Sequence, residues 1–303
     1  MTLIGIATGA KLHAGKNLDA TLDAIAASGA HAIRMGADWP LLEPHLGDPY
    51  DWSGIDPIVD GVTRRGMTMC LATTGRPGTN LYTPDIAAAY VKAAAAVAQR
   101  YEGRVAGFEG PNEPNHNGAT ATTFTDLICK PLYDLTKQLA PTAFVVTGSL
   151  GGEKNGGDPG TAADFVTGMY TAGAQGHFDA LGFHPYSYPL SPHASVAAQT
   201  RGWYHMHQAH ATMRTHGDHR PVWITENGCP TGGDKAMTEA TCAQYLVEAI
   251  TDASHRAWIG AYFHFTWADA PVPQDPANAG DWMGLVRPDG SHKLTYDAFK
   301  AHV

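Results

Sequence analysis

The sequence predicts an α/β chain folded as a single (β/α)8 barrel, a TIM barrel, over residues 1–303, and three observations carry that expectation. Eight short runs rich in Val, Ile, Phe and Leu recur along the whole chain. The stretch between one run and the next holds an amphipathic segment with helix start and stop signals. No Pro/Gly/Ser-rich linker, low-complexity tract or charge run divides the chain into parts. A parallel strand needs a crossover helix to reach its parallel neighbour, so eight alternations in this length suit a closed barrel. An open doubly wound sheet is the alternative, but the first run is followed by GIATGAKLHAG, which holds no GxGxxG.

The expected strands are LIGIA (3–7), HAIRM (31–35), MTMCLAT (67–73), VAGFEG (105–110), AFVVTG (143–148), FDALGF (178–183), PVWIT (221–225) and IGAYFHF (259–265). In the first interval Asn17 is placed to cap a helix whose apolar face is Leu18, Leu22 and Ile25, and Gly29 ends it. In the third, Thr83 is the N-cap, Pro84 suits the first helical position, Ile86, Tyr90 and Val97 share one face, and Gly103 follows the last turn. Further helices are expected near 55–65, 122–139, 161–173, 194–215, 238–255 and 295–302.

Bulk composition narrows the function. A chain that is 44% hydrophobic supports a large core, and 20 Lys+Arg against 29 Asp+Glu give a net charge of -9 with no basic cluster to track a phosphate backbone, so nucleic acid is not expected as a partner. No apolar stretch approaches the roughly 20 residues of a membrane span, and the N-terminus carries no export signal, which leaves localisation unassigned. Cys70, Cys129, Cys229 and Cys242 show no CxxC spacing. Cys229 and Cys242 are close enough in sequence to pair, but all four are read as free thiols.

A barrel turns strand ends into an address, because chemistry sits at the C-terminal ends of the strands. Strand 2 ends near Arg34, strand 4 in Asn112-Glu113, strand 6 in HPY (184–186), strand 7 in ITENG (224–228) and strand 8 in HFTWAD (264–269). Glu113 and Glu226 would reach the same mouth from strands 4 and 7. Two carboxylates across a cleft are the apparatus for cleaving a glycosidic bond: one protonates the leaving oxygen while the other attacks the anomeric carbon or activates water. Glu109 lies earlier in strand 4, where a carboxylate holds a buried cation such as Arg34.

These residues resemble the clan A glycoside hydrolases, retaining (β/α)8 enzymes with Asn-Glu after strand 4 and a second Glu ending strand 7. FEGPNEPN (108–115) is similar to the corresponding segment of families 5 and 39, ITENG to the nucleophile segment of family 1, IRMGADWPLLEPHLGDPYDWSGID (33–56) to the strand 2 region of families 39 and 42, and GLVRPDGSHKLTYDAFK (284–300) to the clan's common ending. A family 39-like or family 5-like member is the expectation. The resemblance implies Glu113 as acid/base, Glu226 as nucleophile, Asn112 as the amide that holds the sugar 2-hydroxyl, Arg34 as hydrogen-bonded to the nucleophile, His184 and Tyr186 as the pair after strand 6, and Trp267 as the platform under the reacting sugar. Pro111 stands where many relatives have Trp, which alters the subsite wall. The implied reaction is hydrolysis of a β-linked oligo- or polysaccharide with no metal or organic cofactor, the charge of Glu226 keeping Glu113 protonated while Arg34 keeps Glu226 ionised.

The same residues bear on other functional classes. Trp39 and Trp282 join Trp267 as candidate substrate-binding residues; a non-catalytic sugar-binding barrel would keep Trp39, Tyr82, Trp203, Trp267 and Trp282 but lose a carboxylate. A phosphate-binding isomerase or aldolase barrel would want Gly-rich loops after strands 7 and 8, for which TGGD (231–234) is suggestive. A metal hydrolase would want HxH at the end of strand 1, where Ala7-Thr8-Gly9 stands, and His205, His207 and His210 are read as a solvated helix surface.

Overall fold

The computed structural model describes residues 2–8, 17–152 and 161–303. Gly9, expected to close the first strand, lies outside these residues. Nine parallel strand segments form one sheet: β1 (Leu3–Ala7), β2 (Ala32–Asp38), β3 (Thr68–Thr74), β4 (Gly107–Glu109), β5 (Val145–Val146), β6 (Leu150–Gly151), β7 (Leu181–His184), β8 (Val222–Asn227) and β9 (Ile259–Phe265). Their order is β5-β4-β3-β2-β1-β9-β8-β7-β6, so the two ends of the sheet are consecutive in the chain. Val146 bridges to Ala180 just before β7, and Thr147 N–H donates to Ala180 O at 3.0 Å, joining the ring. The fold is a (β/α)8 barrel whose fifth strand is broken in two.

The break has a local cause. Gly110 and Gly148 bring the ends of β4 and β5 into backbone contact, and a Cβ on Gly148 would come within 2.4 Å of Pro111 O. After this close approach the chain turns at Ser149, whose side chain enters the barrel mouth, and resumes pairing with β7 through Leu150 and Gly151. The single strand expected over 143–148 therefore becomes two short ones.

The barrel interior is filled by a few large rings against small neighbours. Trp223 stacks on Phe144 with centroids 5.0 Å apart, and Gly107 and Gly260 leave the space its indole occupies. Ala7, Ala32, Cys70, Val146, Ala180, Ala261 and Phe263 complete this inner cluster. The larger core lies between sheet and helices, where Leu22, Ile25, Val59, Val62, Tyr90 and Val97 are buried from the helices Leu18–Ala27, Asp56–Arg64 and Pro84–Tyr101. Thr83 and Pro84 start the long helix as expected, although the Thr83 hydroxyl donates to Asn80 O at 3.0 Å rather than capping. The stretch 122–139 is helical with a π-helical turn at Thr125–Cys129, and 194–215 is two helices, Pro192–Ala197 and Arg201–Thr215.

Two features correct the sequence reading. Cys229 and Cys242 form a disulfide that ties the loop after β8 to the helix Glu239–His255, while Cys70 and Cys129 are buried free thiols. Two of the histidines of 205–210 are not simply solvated: His210 stacks on Trp258 at 4.2 Å and His207 meets the same ring edge-on at 5.3 Å, all three histidines being half-buried. Among the described residues no group of His, Cys, Asp and Glu is placed to hold a metal ion, and no helix is long and apolar enough to cross a membrane.

The long loop after β9 is anchored by a buried ion pair. Lys293 Nζ lies 2.7 Å from Asp269 and also donates to Thr231 Oγ1 at 2.6 Å and Trp282 O at 3.1 Å, while Gly284 N–H donates to Asp269 Oδ1 at 2.8 Å. Burial pushes the Lys293 ammonium below the ordinary lysine range and Asp269 opposes that shift. Asp269→Ala would leave a buried cation without its counter-charge, and the expected cost is about 3–5 kcal/mol. Chemical denaturation checks this, and a loss within experimental error would mean that the pair does not brace the loop.

Candidate active site

The site is built outward from Arg34, which points from β2 into the barrel mouth. Its guanidinium makes a two-pronged contact with Glu109 at the end of β4, Nε to Oε2 at 2.6 Å and Nη2 to Oε1 at 2.9 Å, and Nη1 reaches Glu226 Oε1 on β8 at 2.5 Å. Nη2 also donates to Asn112 Oδ1 at 3.3 Å. Burial by itself would lower the Arg34 pKa, but the charges of Glu109 and Glu226 outweigh it and the net direction is up. Glu109 shows the converse balance: burial pushes its carboxyl up, the Arg34 charge and hydrogen bonds pull it down further, and the result is a carboxylate below its ordinary range. Ser149 Oγ donates to Glu109 Oε1 at 2.5 Å, and Thr225 Oγ1 lies 3.4 Å from the same oxygen. A planar, permanently charged fork suits this place because it satisfies two carboxylates in fixed directions.

Glu226 receives a second hydrogen bond, from Tyr186 OH to Oε2 at 2.9 Å. Burial, followed by the charge on Glu226, raises the Tyr186 phenol well above its ordinary value, so it stays a donor. His184, fully buried at the end of β7, stands between the two candidate carboxylates: Nδ1 is 2.9 Å from Glu113 Oε1 and 3.8 Å from Glu226 Oε2. Burial lowers the His184 pKa, but the Glu226 charge and the contact with Glu113 raise it more, and the net direction is up.

Glu113 sits in the turn after β4 with φ 44°, a left-handed conformation that few residues with a Cβ adopt, and its N–H donates to Ser149 O at 2.8 Å. Its Oε2 lies 3.4 Å from His116 Nδ1. Burial pushes the Glu113 carboxyl up, yet the contacts with His116 and His184 more than offset it and hold the carboxyl well below its ordinary range. The expectation that the charge of Glu226 raises the Glu113 pKa and keeps it protonated is thus corrected: the net direction is down, because two imidazoles stand against the same carboxylate.

A cavity of about 330 Å³ opens beside Glu113, His184 and Tyr186, walled by His116, Gly151, Gly152, Tyr188, Lys235, Phe265, Met283 and the segment 277–280. Three aromatic residues expected here are elsewhere. Trp39 is buried in the core, donating from Nε1 to Glu43 Oε2 at 2.6 Å, with Tyr90 at its edge and Arg76 over its face. Trp267 is half-buried against Tyr296, and Phe265, two residues earlier, lines the cavity instead. Trp282 covers Gly232 and Gly233, where added Cβ atoms would come within 2.1 Å and 2.8 Å of its ring. The glycines of TGGD are therefore a shelf for an indole rather than an anion cradle. Trp203 is also in the core, bonded to Asp252 at 3.0 Å.

The structure brings Arg34, Asn112, Glu113, His184, Tyr186 and Glu226 together and adds residues the sequence did not single out. His116 had a signal, a histidine three positions after Glu113 within the same turn. Phe265 had one as well, since it closes β9. Lys235, Tyr188 and the segment 277–280 had none, because loop residues far apart in sequence meet only in the folded chain.

Replacing Glu109 by Gln tests the charge arrangement. Its pKa is lowered in the folded chain, so its contribution is present above the unfolded value of about 4.3 and is lost as pH falls through the folded one. Glu109→Gln should therefore cost about 1.5–3 kcal/mol at neutral pH. That difference should narrow below about pH 4. Denaturant melts at the two pH values check it; a gap independent of pH would mean that the carboxylate charge contributes nothing.

No family model matches the sequence, and no curated protein sequence matches it. Solved structures do. A family 39 glycoside hydrolase from the gut symbiont Bacteroides cellulosilyticus WH2 is similar over 99% of this chain and 62% of its own, with TM-score 0.79 and 20% identity. A GH5_18 protein from Streptomyces cattleya, crystallised in complex with Manβ1-4GlcNAc, is similar over 99% of this chain and 80% of its own, with TM-score 0.77 and 14% identity. The exo-β-1,4-mannosidase Op5Man5 from Opitutaceae bacterium strain TAV5 is similar over 99% and 59%, with TM-score 0.72 and 18% identity. The chain spans less than two thirds of the length of the first and third of these. The likeness is one of fold: this chain has the (β/α)8 barrel that these glycoside hydrolases have.

Proposed function

We propose that the protein is a retaining β-glycoside hydrolase acting on a β-linked oligo- or polysaccharide, with Glu226 as nucleophile and Glu113 as acid/base. The observation that carries this reading is the single nitrogen, His184 Nδ1, in reach of both carboxylates. The two distances laid end to end, about 6.7 Å, are an upper limit on the separation of Glu113 Oε1 and Glu226 Oε2. That limit admits the separation of about 5–5.5 Å that a retaining pair needs and excludes all but the lower edge of the range of about 6.5–9.5 Å for an inverting pair.

In the first step Glu226, held in place by hydrogen bonds from Arg34 and Tyr186, attacks the anomeric carbon. The bond to the leaving oxygen breaks, and the proton held by the Glu113–His184 pair passes through Glu113 to that oxygen, giving an alcohol and a glycosyl ester on Glu226. In the second step the Glu113 carboxylate takes a proton from water, the water oxygen attacks the anomeric carbon, and Glu226 leaves as carboxylate. Asn112, tied to Arg34 beside the nucleophile, is suited to the sugar 2-hydroxyl. Phe265 takes the place expected of Trp267 as the apolar wall. Trp39, in the core, and Trp282, over Gly232 and Gly233, do not line the cavity. The Cys229–Cys242 disulfide fits work in an oxidising compartment.

The proton needed in the first step belongs to the Glu113–His184 pair. His184 is raised above its ordinary value of about 6.5, so the pair keeps its proton to a higher pH than a lone carboxyl near 4.3 would. The descending limb of the pH profile of kcat/KM is therefore expected above about pH 6.5. A limb near the carboxyl value would remove His184 from proton delivery.

Product analysis on β-glycans and aryl β-glycosides tests the assignment. Wild type should release sugar of retained anomeric configuration. Glu226→Ala should lose activity, and Glu113→Ala should fall by about 10²–10⁴-fold and regain turnover with azide on an activated aryl substrate. Inverted product or cleavage that survives both substitutions would overturn the assignment. Glycan binding without cleavage would favour the sugar-binding barrel.

A further inference from the structure

Glu113 is contacted at both carboxylate oxygens by imidazoles from opposite sides: His184 reaches Oε1 from the end of β7, and His116 faces Oε2 from the turn after β4. The turn is built in a way that fixes the second imidazole. Glu113 O accepts from the backbone N–H groups of His116 at 2.9 Å and Asn117 at 3.0 Å, folding the chain back over its own carboxylate. Asn115 exchanges two hydrogen bonds with the Gly151 backbone, Nδ2 to O at 2.9 Å and Gly151 N to Oδ1 at 3.0 Å, which locks the turn onto β6. The His116 ring then lies against Gly151 so closely that a Cβ there would come within 2.1 Å of it. Only glycine at that position leaves room for the ring to reach the carboxylate.

We propose that His116 is a positioning residue for proton delivery, holding the plane of the Glu113 carboxyl so that Oε2 faces the leaving oxygen; this rests on the glycosidase reading above. With His184 alone the carboxyl is tied at one oxygen and turns about its terminal torsion, which is broad for a carboxylate. A second contact at the other oxygen removes that freedom. The 3.4 Å separation from His116 is longer than the bond to His184, so Oε2 is the less engaged oxygen and the one available to exchange a proton. Hydrogen bonds of this length in catalytic sites tighten when substrate is bound.

A positioning role has a signature that a purely structural one lacks. Proton delivery matters for a poor leaving group and hardly at all for a good one, and kcat/KM reports the first step alone. For His116→Ala, kcat/KM should fall about 10- to 100-fold on a phenyl β-glycoside and less than about threefold on the dinitrophenyl β-glycoside of the same sugar. His116→Asn, which keeps a donor near the Nδ1 position, should recover part of the loss. Gly151→Ala, which pushes the ring away without removing it, should reproduce the same dependence on leaving group and guards against a His116 variant that fails to fold. A loss equal across leaving groups, with wild type active and retaining, overturns the role of His116 and leaves the glycosidase reading intact. A wild type that cleaves no glycoside of the series overturns both.

Discussion

The arrangement of this barrel's mouth depends on one buried cation. Arg34 is almost wholly removed from water and faces two carboxylates, Glu109 and Glu226, from strands on opposite sides of its own. Removing a guanidinium from water costs several kcal/mol, and only close, well-directed anions offset it. Glu109 is committed to that task, with Ser149 and Thr225 turned toward its oxygens. Glu226 shares the cation through one oxygen and takes the Tyr186 hydroxyl on the other. The mouth therefore holds two carboxylates on one cation that differ in how completely each is enclosed, Glu109 at 0% and Glu226 at 14% side-chain exposure.

The break in the fifth strand follows from the same constraint. An unbroken strand would keep Ser149 in the regular alternation of the sheet. The close approach of Gly110 to Gly148 bends the chain so that the Ser149 side chain meets Glu109 and its carbonyl receives Glu113 N–H. That last bond helps hold Glu113 in a left-handed backbone conformation, which costs of order 1–3 kcal/mol and persists only where the surroundings over-determine it. Strain at Glu113, the broken strand and the buried Arg34–Glu109 pair are parts of one arrangement.

The loops on the same face are held by different means. The disulfide fastens the segment after β8, and the Asp269–Lys293 pair fastens the segment after β9. Trp282, laid over Gly232 and Gly233, packs the two segments together. Trp282 does not line the cavity, whose apolar wall is Phe265 and whose aromatic rim is Tyr186 and Tyr188.

The strands, the crossover helices and the two carboxylates at the ends of the fourth and seventh barrel strands were legible in the residues alone, because hydrophobic periodicity and strand-end polarity are local properties of a chain. The positions of Arg34, Asn112, His184 and Tyr186 at the same mouth follow from barrel closure, which makes every strand end a neighbour of the others. Closure does not say which side chain is oriented where. Trp39 and Phe265 both stand at strand ends, yet one is in the core and the other in the cleft, since a pleat alternates faces and a one-residue displacement reverses them. Nor does sequence distance say that Cys229 meets Cys242, that His116 folds back on Glu113, or that two histidines displace Glu226 as the neighbours that govern the Glu113 proton. Those outcomes belong to tertiary structure, because each depends on distances between segments that the local pattern of neither segment contains.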